Sequence, residues 1–317
     1  MVMHHLVLRK SVPWTRSVEN CRWAFAGFDP RNGHVIVGSF SASDGAEVPY
    51  RLWLAKKPRA LILLLHGCCD YSGAFDDIAP KLAVRGYSCL AYDQRGFGAT
   101  ASRGNWTSKD RIVADVRDAI LFFRVRTKCE LPLFIIGESM GGSVAVHTAA
   151  TYSDLEVRGL VLVAPGALGS ILRNTLYGWL IRTLRLFARR SEIVVERNDI
   201  EVLTSSAAIR LLGDPMAMQS IPAELLAGVI AMSYAAVSAA TKVHTPTLTM
   251  IAGKDDLLRS ACVRQLHENL NGPKAWMPVK NAPHLLLHSV HGGIALGYIR
   301  RWIKNHLRFQ LRADAHD

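Results

Sequence analysis

A glycine-bounded serine motif between a strand-like and a helix-like segment is the feature that most constrains the fold of this chain. Residues 137–141 read Gly-Glu-Ser-Met-Gly, a G-x-S-x-G pattern that follows the apolar residues 133–136 and precedes a helical pattern over residues 143–151. In that context the pattern predicts a turn so tight that side chains at the two glycines would collide with neighbouring backbone. The turn would expose Ser139 at a helix N-terminus, where developing negative charge is stabilised. Ser139 is therefore a candidate nucleophile.

An acid and a histidine follow two later predicted strands. The run Thr247–Ala252 ends before Gly-Lys-Asp-Asp at residues 253–256, and the run Lys274–Val279 is followed shortly by His284. Open α/β sheets place their sites at the carboxyl ends of strands, so these groups should meet near Ser139. An imidazole between a serine and a carboxylate can take the serine proton and return it to a leaving group. Asp255 and Asp256 are adjacent, so their side chains should diverge and only one should face His284.

Further landmarks extend the pattern along the chain. The apolar run Ala60–Leu65 predicts a central parallel strand, and His-Gly-Cys follows at residues 66–68. Tyr-Ser-Gly follows at 71–73, and Tyr-Asp-Gln-Arg-Gly-Phe-Gly occupies 92–98. With the serine motif, Gly253-x-x-Asp256 and His284, these landmarks resemble those of the monoglyceride lipase and lysophospholipase branch of the α/β-hydrolases. The resemblance covers residues 40–308.

The resemblance implies roles for individual residues. It implies a catalytic triad of Ser139, Asp256 and His284, with Asp256 preferred to Asp255 because such enzymes carry the acid three residues after the glycine. It implies that the backbone N–H groups of Cys68 and Met140 hold the oxyanion, and that neither a cofactor nor a metal is needed. The chain departs from the family at Glu138, at residues 95–98 and at the Cys68-Cys69 pair. These departures bear on the substrate rather than on the reaction.

Three other histidines receive plainer interpretations. We expect His66 to bond locally and to shape the loop after its strand. We interpret His288 and His291 as ordinary loop or helix-start residues. His284 and His288 have the spacing of a metal-binding pair, but no glutamate lies between them and no third ligand is evident, so we reject zinc.

The predicted fold class is α/β: an α/β-hydrolase fold with a mostly parallel central sheet flanked by helices and an inserted helical cap. We assign residues 1–39 to an N-terminal lead, 40–308 to the hydrolase domain, 166–244 to the cap and 309–317 to a C-terminal tail. The apolar residues 225–240 are too short for a membrane span and predict a cap helix. The lead has no long apolar core of the kind that a signal peptide needs.

Charge and cysteines limit the partners and the compartment. The chain has 38 Lys and Arg against 26 Asp and Glu, a formal net charge of +12, which favours anionic surfaces. We see no nucleic-acid-binding motif and no basic tail, so we predict no nucleic-acid partner. The six cysteines form no C-x-x-C pattern, which suits a reducing, cytoplasmic compartment.

The cap segment at residues 172–190 has two interpretations. Its apolar side either covers an acyl pocket while arginines face solvent, or it contacts a membrane interface while Arg182, Arg185 and Arg189 meet anionic head groups. Under the second interpretation, charge reversal at the three arginines should weaken binding to anionic vesicles and spare turnover of a small soluble ester. Unchanged vesicle binding would refute the membrane interpretation.

The expected function is cleavage of small-molecule carboxylic esters with medium or long acyl chains, with monoacylglycerols or lysophospholipids as leading substrates. Thioesterases, lactonases and aminopeptidases use the same triad and remain alternatives. Epoxide hydrolases and dehalogenases carry aspartate at the elbow, so Ser139 argues against them. A non-catalytic ligand-binding module is the alternative from another class, and intact triad residues argue against it.

Overall fold

The computed structural model of the chain describes residues 35–127, 131–169, 191–195 and 200–313. Eight strands form one sheet in the order β1-β2-β4-β3-β5-β6-β9-β10. The strands are β1 Ile36–Ser41, β2 Glu47–Trp53, β3 Ala60–Leu65, β4 Tyr87–Tyr92, β5 Leu133–Glu138, β6 Val157–Val163, β9 Thr247–Ala252 and β10 Lys274–Val279. β2 pairs antiparallel with β1 and β4, and all other neighbours are parallel. The predicted mostly parallel sheet is confirmed.

The central strands are apolar on both faces because helices cover both. β3, β4, β5 and β9 are buried at every position, as expected for parallel strands between two helical layers. The helices are α1 Ala79–Ala83, α2 Lys109–Thr127, α3 Met140–Thr151, α4 Ser205–Gly213, α5 Ala223–Ala239, α6 Ser260–Asn269 and α7 Gly292–Ala313. Short 3₁₀ turns lie at Ser72–Phe75, Ser153–Leu155, Ile200–Val202, Ala240–Lys242 and Leu286–His288.

Two hydrophobic cores lie on opposite faces of the sheet. One packs α2, α3, α5 and α6 on the sheet through residues such as Ile120, Val144 and Met232. The other packs α1 and α7 through residues such as Leu82 and Ile299. With both faces covered, the open positions for a site are the ends of the strands and the loops that leave them.

A helical excursion lies between β6 and β9, as the cap prediction requires. Its described part holds α4, α5 and a two-stranded antiparallel sheet formed by β7 Glu192–Val194 and β8 Ser220–Pro222. Within the residues that the structure describes, one helix is long and apolar enough to cross a membrane; it covers Ala223–Lys242, and over half of it is buried inside the protein. α5 packs against α3, and its Gly228 lies so close to Trp106 that a β-carbon there would fall 2.0 Å from the indole ring. The expectation that this segment is too short for a membrane span was wrong, because the helix extends to 20 residues; its packing against α3 places it inside the protein, and its assignment to the cap stays a prediction.

Some predicted boundaries differ from the described elements. β1 begins at Ile36, before the expected domain start at residue 40, and α7 continues to Ala313, past the expected end at 308. Residues 1–34 of the predicted lead, the predicted cap helix at 172–190 and residues 314–317 of the tail lie outside the described residues.

Candidate active site

Ser139 occupies a strained turn between β5 and α3. Its φ of 52° and ψ of −119° lie in a region that residues with a side chain rarely adopt. Backbone contacts hold it there: its N–H donates to Val163 O at 3.0 Å, and its carbonyl accepts from Gly166 N at 2.7 Å and Gly142 N at 2.9 Å. The surrounding structure therefore determines the conformation that lifts the hydroxyl above the sheet.

The two motif glycines are required because backbone approaches them closely. A β-carbon at Gly137 would lie 2.2 Å from Gly141 O, and one at Gly141 would lie 2.1 Å from Leu65 O. Real contacts of that kind do not occur, so a side chain at either position would push β5 and α3 apart or displace β3. The sequence prediction that glycines are needed on both sides of the turn agrees with this geometry.

His284 connects Ser139 to a carboxylate. Its Nε2 lies 2.8 Å from Ser139 Oγ, and its Nδ1 lies 2.8 Å from Asp255 Oδ2. An ionised carboxylate only accepts, so Nδ1 carries the proton and donates to Asp255; Nε2 of the neutral ring then accepts from the serine hydroxyl. The side chains of His284 and Asp255 are each only 6% exposed, which limits the competition of water for these bonds.

The acid facing His284 is Asp255, and the preference for Asp256 was wrong. After β9 ends at Ala252, the chain turns so that Asp255 Oδ1 accepts from Leu257 N at 3.0 Å and Leu258 N at 2.8 Å. The other oxygen of the same carboxylate is then directed at His284, while Asp256 is exposed. The expectation that adjacent carboxylates diverge was right, but counting from the glycine selected the wrong one.

The loop that carries Cys68 lies beside Ser139. A β-carbon at Gly67 would lie 3.4 Å from Ser139 Cβ and 4.0 Å from its Oγ, so the backbone of this loop approaches the nucleophile directly. Met140 opens α3, and the first N–H groups of a helix have no acceptor within the helix. The loop that leads to Cys68 and the start of α3 at Met140 both lie next to the serine. The role of Cys68 and Met140 as oxyanion donors stays a prediction.

His66 shapes this loop, as its sequence position indicated. Gln94 N donates to His66 Nε2 at 3.0 Å, so the ring proton is on Nδ1, which donates to Gly67 O at 2.8 Å. The Gln94 side chain returns a bond to His66 O at 2.7 Å. Burial lowers the pKa of His66, which keeps the ring neutral and compatible with both bonds.

Sequence reasoning missed a buried partner of the motif residue Glu138. His288, interpreted as an ordinary loop histidine, places Nε2 3.0 Å from Glu138 Oε2, and the other carboxylate oxygen accepts from Leu287 N at 2.9 Å. Both side chains are almost fully buried. The signal in the sequence was the glutamate itself, since an ionisable residue at the end of an otherwise apolar strand needs a partner. The pair fixes the 3₁₀ turn that follows His284.

The loop around Cys68 also contacts the cap. Arg210 of α4 donates to both carboxylate oxygens of Asp70, and Tyr71 donates to Asp214. No sequence signal pointed to these contacts, which join residues more than a hundred positions apart. Within the described part of the chain, no group of three or more His, Cys, Asp or Glu side chains is arranged to hold a metal ion.

The fold, with its strained serine turn and its serine, histidine and aspartate in one line of hydrogen bonds, defines an α/β-hydrolase. The chain belongs to the hydrolase family described as serine aminopeptidase, S33, which it matches over residues 56–291.

Individual relatives agree with this placement. An uncharacterized abhydrolase domain-containing protein of Dictyostelium discoideum is 22% identical over 292 residues, which cover 86% of this chain and 29% of that protein. The chain thus spans less than a third of that relative. A monoacylglycerol lipase of Mycolicibacterium smegmatis is 22% identical over 276 residues, covering 85% of this chain and 97% of the lipase.

A solved structure has the same fold. A soluble variant of monoglyceride lipase from Saccharomyces cerevisiae, in complex with a substrate analog, superposes with a TM-score of 0.73 at 18% identity, covering 89% of this chain and 98% of that one. The predicted similarity to the monoglyceride lipase branch of the α/β-hydrolases is confirmed.

Proposed function

We propose that this chain is a serine hydrolase that cleaves carboxylic esters of lipid-like substrates through an acyl-enzyme. The observation that carries the proposal is the position of His284, whose two ring nitrogens each lie 2.8 Å from a partner, Ser139 on one side and Asp255 on the other. A neutral imidazole with its proton directed at a carboxylate is the form that can accept a proton from serine.

The geometry supports an ordered sequence of proton transfers. Ser139 Oγ attacks the ester carbonyl while His284 Nε2 takes its proton, and Asp255 stabilises the imidazolium. The N–H groups of Cys68 and Met140 stabilise the negative oxygen of the tetrahedral intermediate. The C–O bond to the alcohol then breaks as His284 protonates the leaving oxygen. Water, deprotonated by His284, attacks the acyl-enzyme, and return of the proton to Ser139 releases the acid.

The relatives support a lipid ester as the substrate. Two of those described above are named as lipases of monoacylglycerols or monoglycerides, so we infer a monoacylglycerol, with a lysophospholipid as the next candidate. The matched family carries the description serine aminopeptidase, which favours amide cleavage at a peptide N-terminus as a second candidate. The same acyl-enzyme chemistry would serve thioesters and lactones.

Labelling by a fluorophosphonate tests the nucleophile. The wild type should be labelled, and Ser139→Ala should fold but lose the label and lose kcat by several orders of magnitude. Ser205→Ala, at an exposed serine that begins α4, is the matched control and should behave as the wild type. Retained activity in Ser139→Ala would refute the assignment.

A substrate panel then identifies the reaction. The panel compares monoacylglycerols, lysophospholipids, short nitrophenyl esters, acyl thioesters, lactones and aminoacyl nitroanilides at equal enzyme concentration. We expect the highest kcat/KM for monoacylglycerols. Turnover confined to the nitroanilides would replace the esterase proposal with the aminopeptidase.

A further inference from the structure

Three consecutive residues after Cys68 are held by the cap. We call residues 66–72 the oxyanion loop. Cys69 O accepts from Met218 N at 2.9 Å, Asp70 binds Arg210, and Tyr71 Oη donates to Asp214 Oδ2 at 2.5 Å. The oxyanion loop is thus fixed by His66 and Gln94 at its start, by cap residues at positions 69–71, and at its end by Asp93, whose Oδ1 accepts from Ser72 N at 2.9 Å.

Of these three contacts, the one between Arg210 and Asp70 is an ion pair with two hydrogen bonds. Arg210 Nε lies 3.2 Å from Asp70 Oδ1 and Nη2 lies 3.0 Å from Oδ2, so the guanidinium donates to both oxygens. Asp70 is 4% exposed and Arg210 8%, so water hardly screens the pair. Burial alone would raise the pKa of Asp70, but the positive charge of Arg210 and its hydrogen bonds outweigh burial and keep that pKa below its usual value. The carboxylate is therefore charged and paired.

The loop needs such support because its backbone is strained next to the predicted oxyanion donor. Cys69 has a φ of 64°, in the left-handed region that favours glycine. Non-glycine residues persist there only when surrounding contacts hold them. Met218 N donates to the carbonyl of Cys69, and Arg210 binds the side chain of Asp70, so the cap supplies contacts to the two residues directly after Cys68.

We propose that Arg210 is a positioning residue: through Asp70 it keeps the oxyanion loop in the conformation that aims the Cys68 N–H at the transition state. The inference rests on the proposed hydrolase function. An oxyanion donor acts only if it lies about 2.7–3.1 Å from the oxygen as charge develops, and losing one donor lowers kcat about 10²–10³-fold. A more mobile loop should lose part of the rate enhancement that the donor provides, so kcat should fall while KM stays nearly unchanged.

Arg103 provides a matched control. Its guanidinium donates to Met216 O at 2.8 Å and to Pro215 O at 2.8 Å, both in the cap. It also donates to Gly98 O at 2.7 Å, in the loop that follows β4. Arg103 therefore connects the cap to the loop after β4, and none of these three hydrogen bonds goes to the oxyanion loop. If Arg210 served only to anchor the cap, Arg103→Ala and Arg210→Ala should impair the enzyme alike.

The experiment measures kcat and KM for a short soluble nitrophenyl ester in the wild type, Arg210→Ala, Arg210→Lys and Arg103→Ala. We expect Arg210→Ala to lower kcat about 10–100-fold with KM within about threefold, because the lost interaction operates in the transition state. Arg210→Lys should recover part of the loss, since an ammonium can pair with Asp70 but cannot donate to both oxygens in a fork. Arg103→Ala should stay within about threefold of the wild-type kcat.

Hydrogen exchange of the peptide covering the oxyanion loop reports on the loop without catalysis. We expect faster exchange in Arg210→Ala and wild-type exchange in Arg103→Ala. Equal kcat losses in both alanine variants, an effect on KM alone, or unchanged exchange in Arg210→Ala would overturn the proposal while leaving the hydrolase assignment intact.

Two further outcomes are distinguishable. If Arg210→Ala fails to fold, Arg210→Lys decides the matter: an intermediate kcat with faster loop exchange supports the proposal, and wild-type values of both overturn it. If the wild type neither turns over esters nor reacts with a fluorophosphonate, the proposed function fails and this inference fails with it.

Discussion

Asp255→Asn should lower kcat about 10⁴-fold, because the amide would force His284 into the wrong tautomer. Oδ1 of Asp255 accepts from the N–H groups of Leu257 and Leu258, while Oδ2 faces His284 Nδ1 at 2.8 Å. In asparagine the carbonyl oxygen must keep the two backbone donors, so the NH₂ group must face His284. Nδ1 would then accept, its proton would move to Nε2, and the ring could no longer take a proton from Ser139.

The magnitude follows from what the substitution leaves unchanged. Asparagine has the size of aspartate and retains the bonds to the turn, so the fold and KM should be preserved. A wrong histidine tautomer of this kind costs about 10⁴ in rate, and at about 1.36 kcal/mol per tenfold this is a transition-state loss of about 5.4 kcal/mol.

The assay compares kcat for a soluble ester with the matched substitution one residue further on. Asp256 is exposed, so Asp256→Asn should remain within about twofold of the wild type. Thermal unfolding of both variants checks that they are folded. A large loss in Asp256→Asn together with a normal Asp255→Asn would show that the turn after β9 differs from the one described and would restore the sequence-based choice.

Substitutions at two further positions test the surroundings of the triad. Glu138→Ala should lower the free energy of unfolding by about 3 kcal/mol, because it leaves His288 buried without its carboxylate and Leu287 N–H without its acceptor; Glu138→Gln, which can retain the latter bond, should cost less. Urea unfolding measures both, and equal stability of all three proteins would contradict the role of the pair. Cys68→Ala should keep kcat within about threefold, because the proposed donor is the backbone N–H and not the thiol. A loss above a hundredfold in steady-state turnover would assign the chemistry to the sulfur.

The strands could be predicted because their signal is local. Ala60–Leu65, Thr247–Ala252 and Lys274–Val279 have the predicted bounds. The first is a continuous apolar run, which marks a buried parallel strand, whereas Lys274–Val279 lies at the edge of the sheet and is only partly buried. The order of the motifs then placed Ser139 and His284 at strand ends that meet. The cap was predicted from the loss of the strand pattern over residues 166–244, where helical patterns replace it.

The rest depended on geometry that one sequence does not reveal. Choosing between Asp255 and Asp256 requires the direction of each side chain in a turn, and that direction is set by the backbone N–H groups that Asp255 accepts. The pairs of Glu138 with His288 and of Asp70 with Arg210 join distant parts of the chain, and no periodicity links their members. A buried charge signals that a partner exists without saying where it lies.

These two pairs lie near each other, since His288 is one of the groups that lower the pKa of Asp70, and each pair holds a loop next to the triad. The triad serine and acid sit in turns held by backbone hydrogen bonds, whereas the oxyanion loop and the turn after His284 are held by buried charged side chains. All four side chains are buried, so an electrostatic influence of one pair on the other is only weakly screened by water. Because the members of both pairs are buried, removing one partner leaves the other unpaired in a medium of low dielectric constant. The loop that carries the unpaired side chain should then lose its position. In a double-mutant cycle on kcat, the coupling energy between substitutions at Glu138 and Arg210 should therefore differ from zero. The effects of substitutions at Glu138 and Arg103 should be additive, which corresponds to a coupling energy near zero.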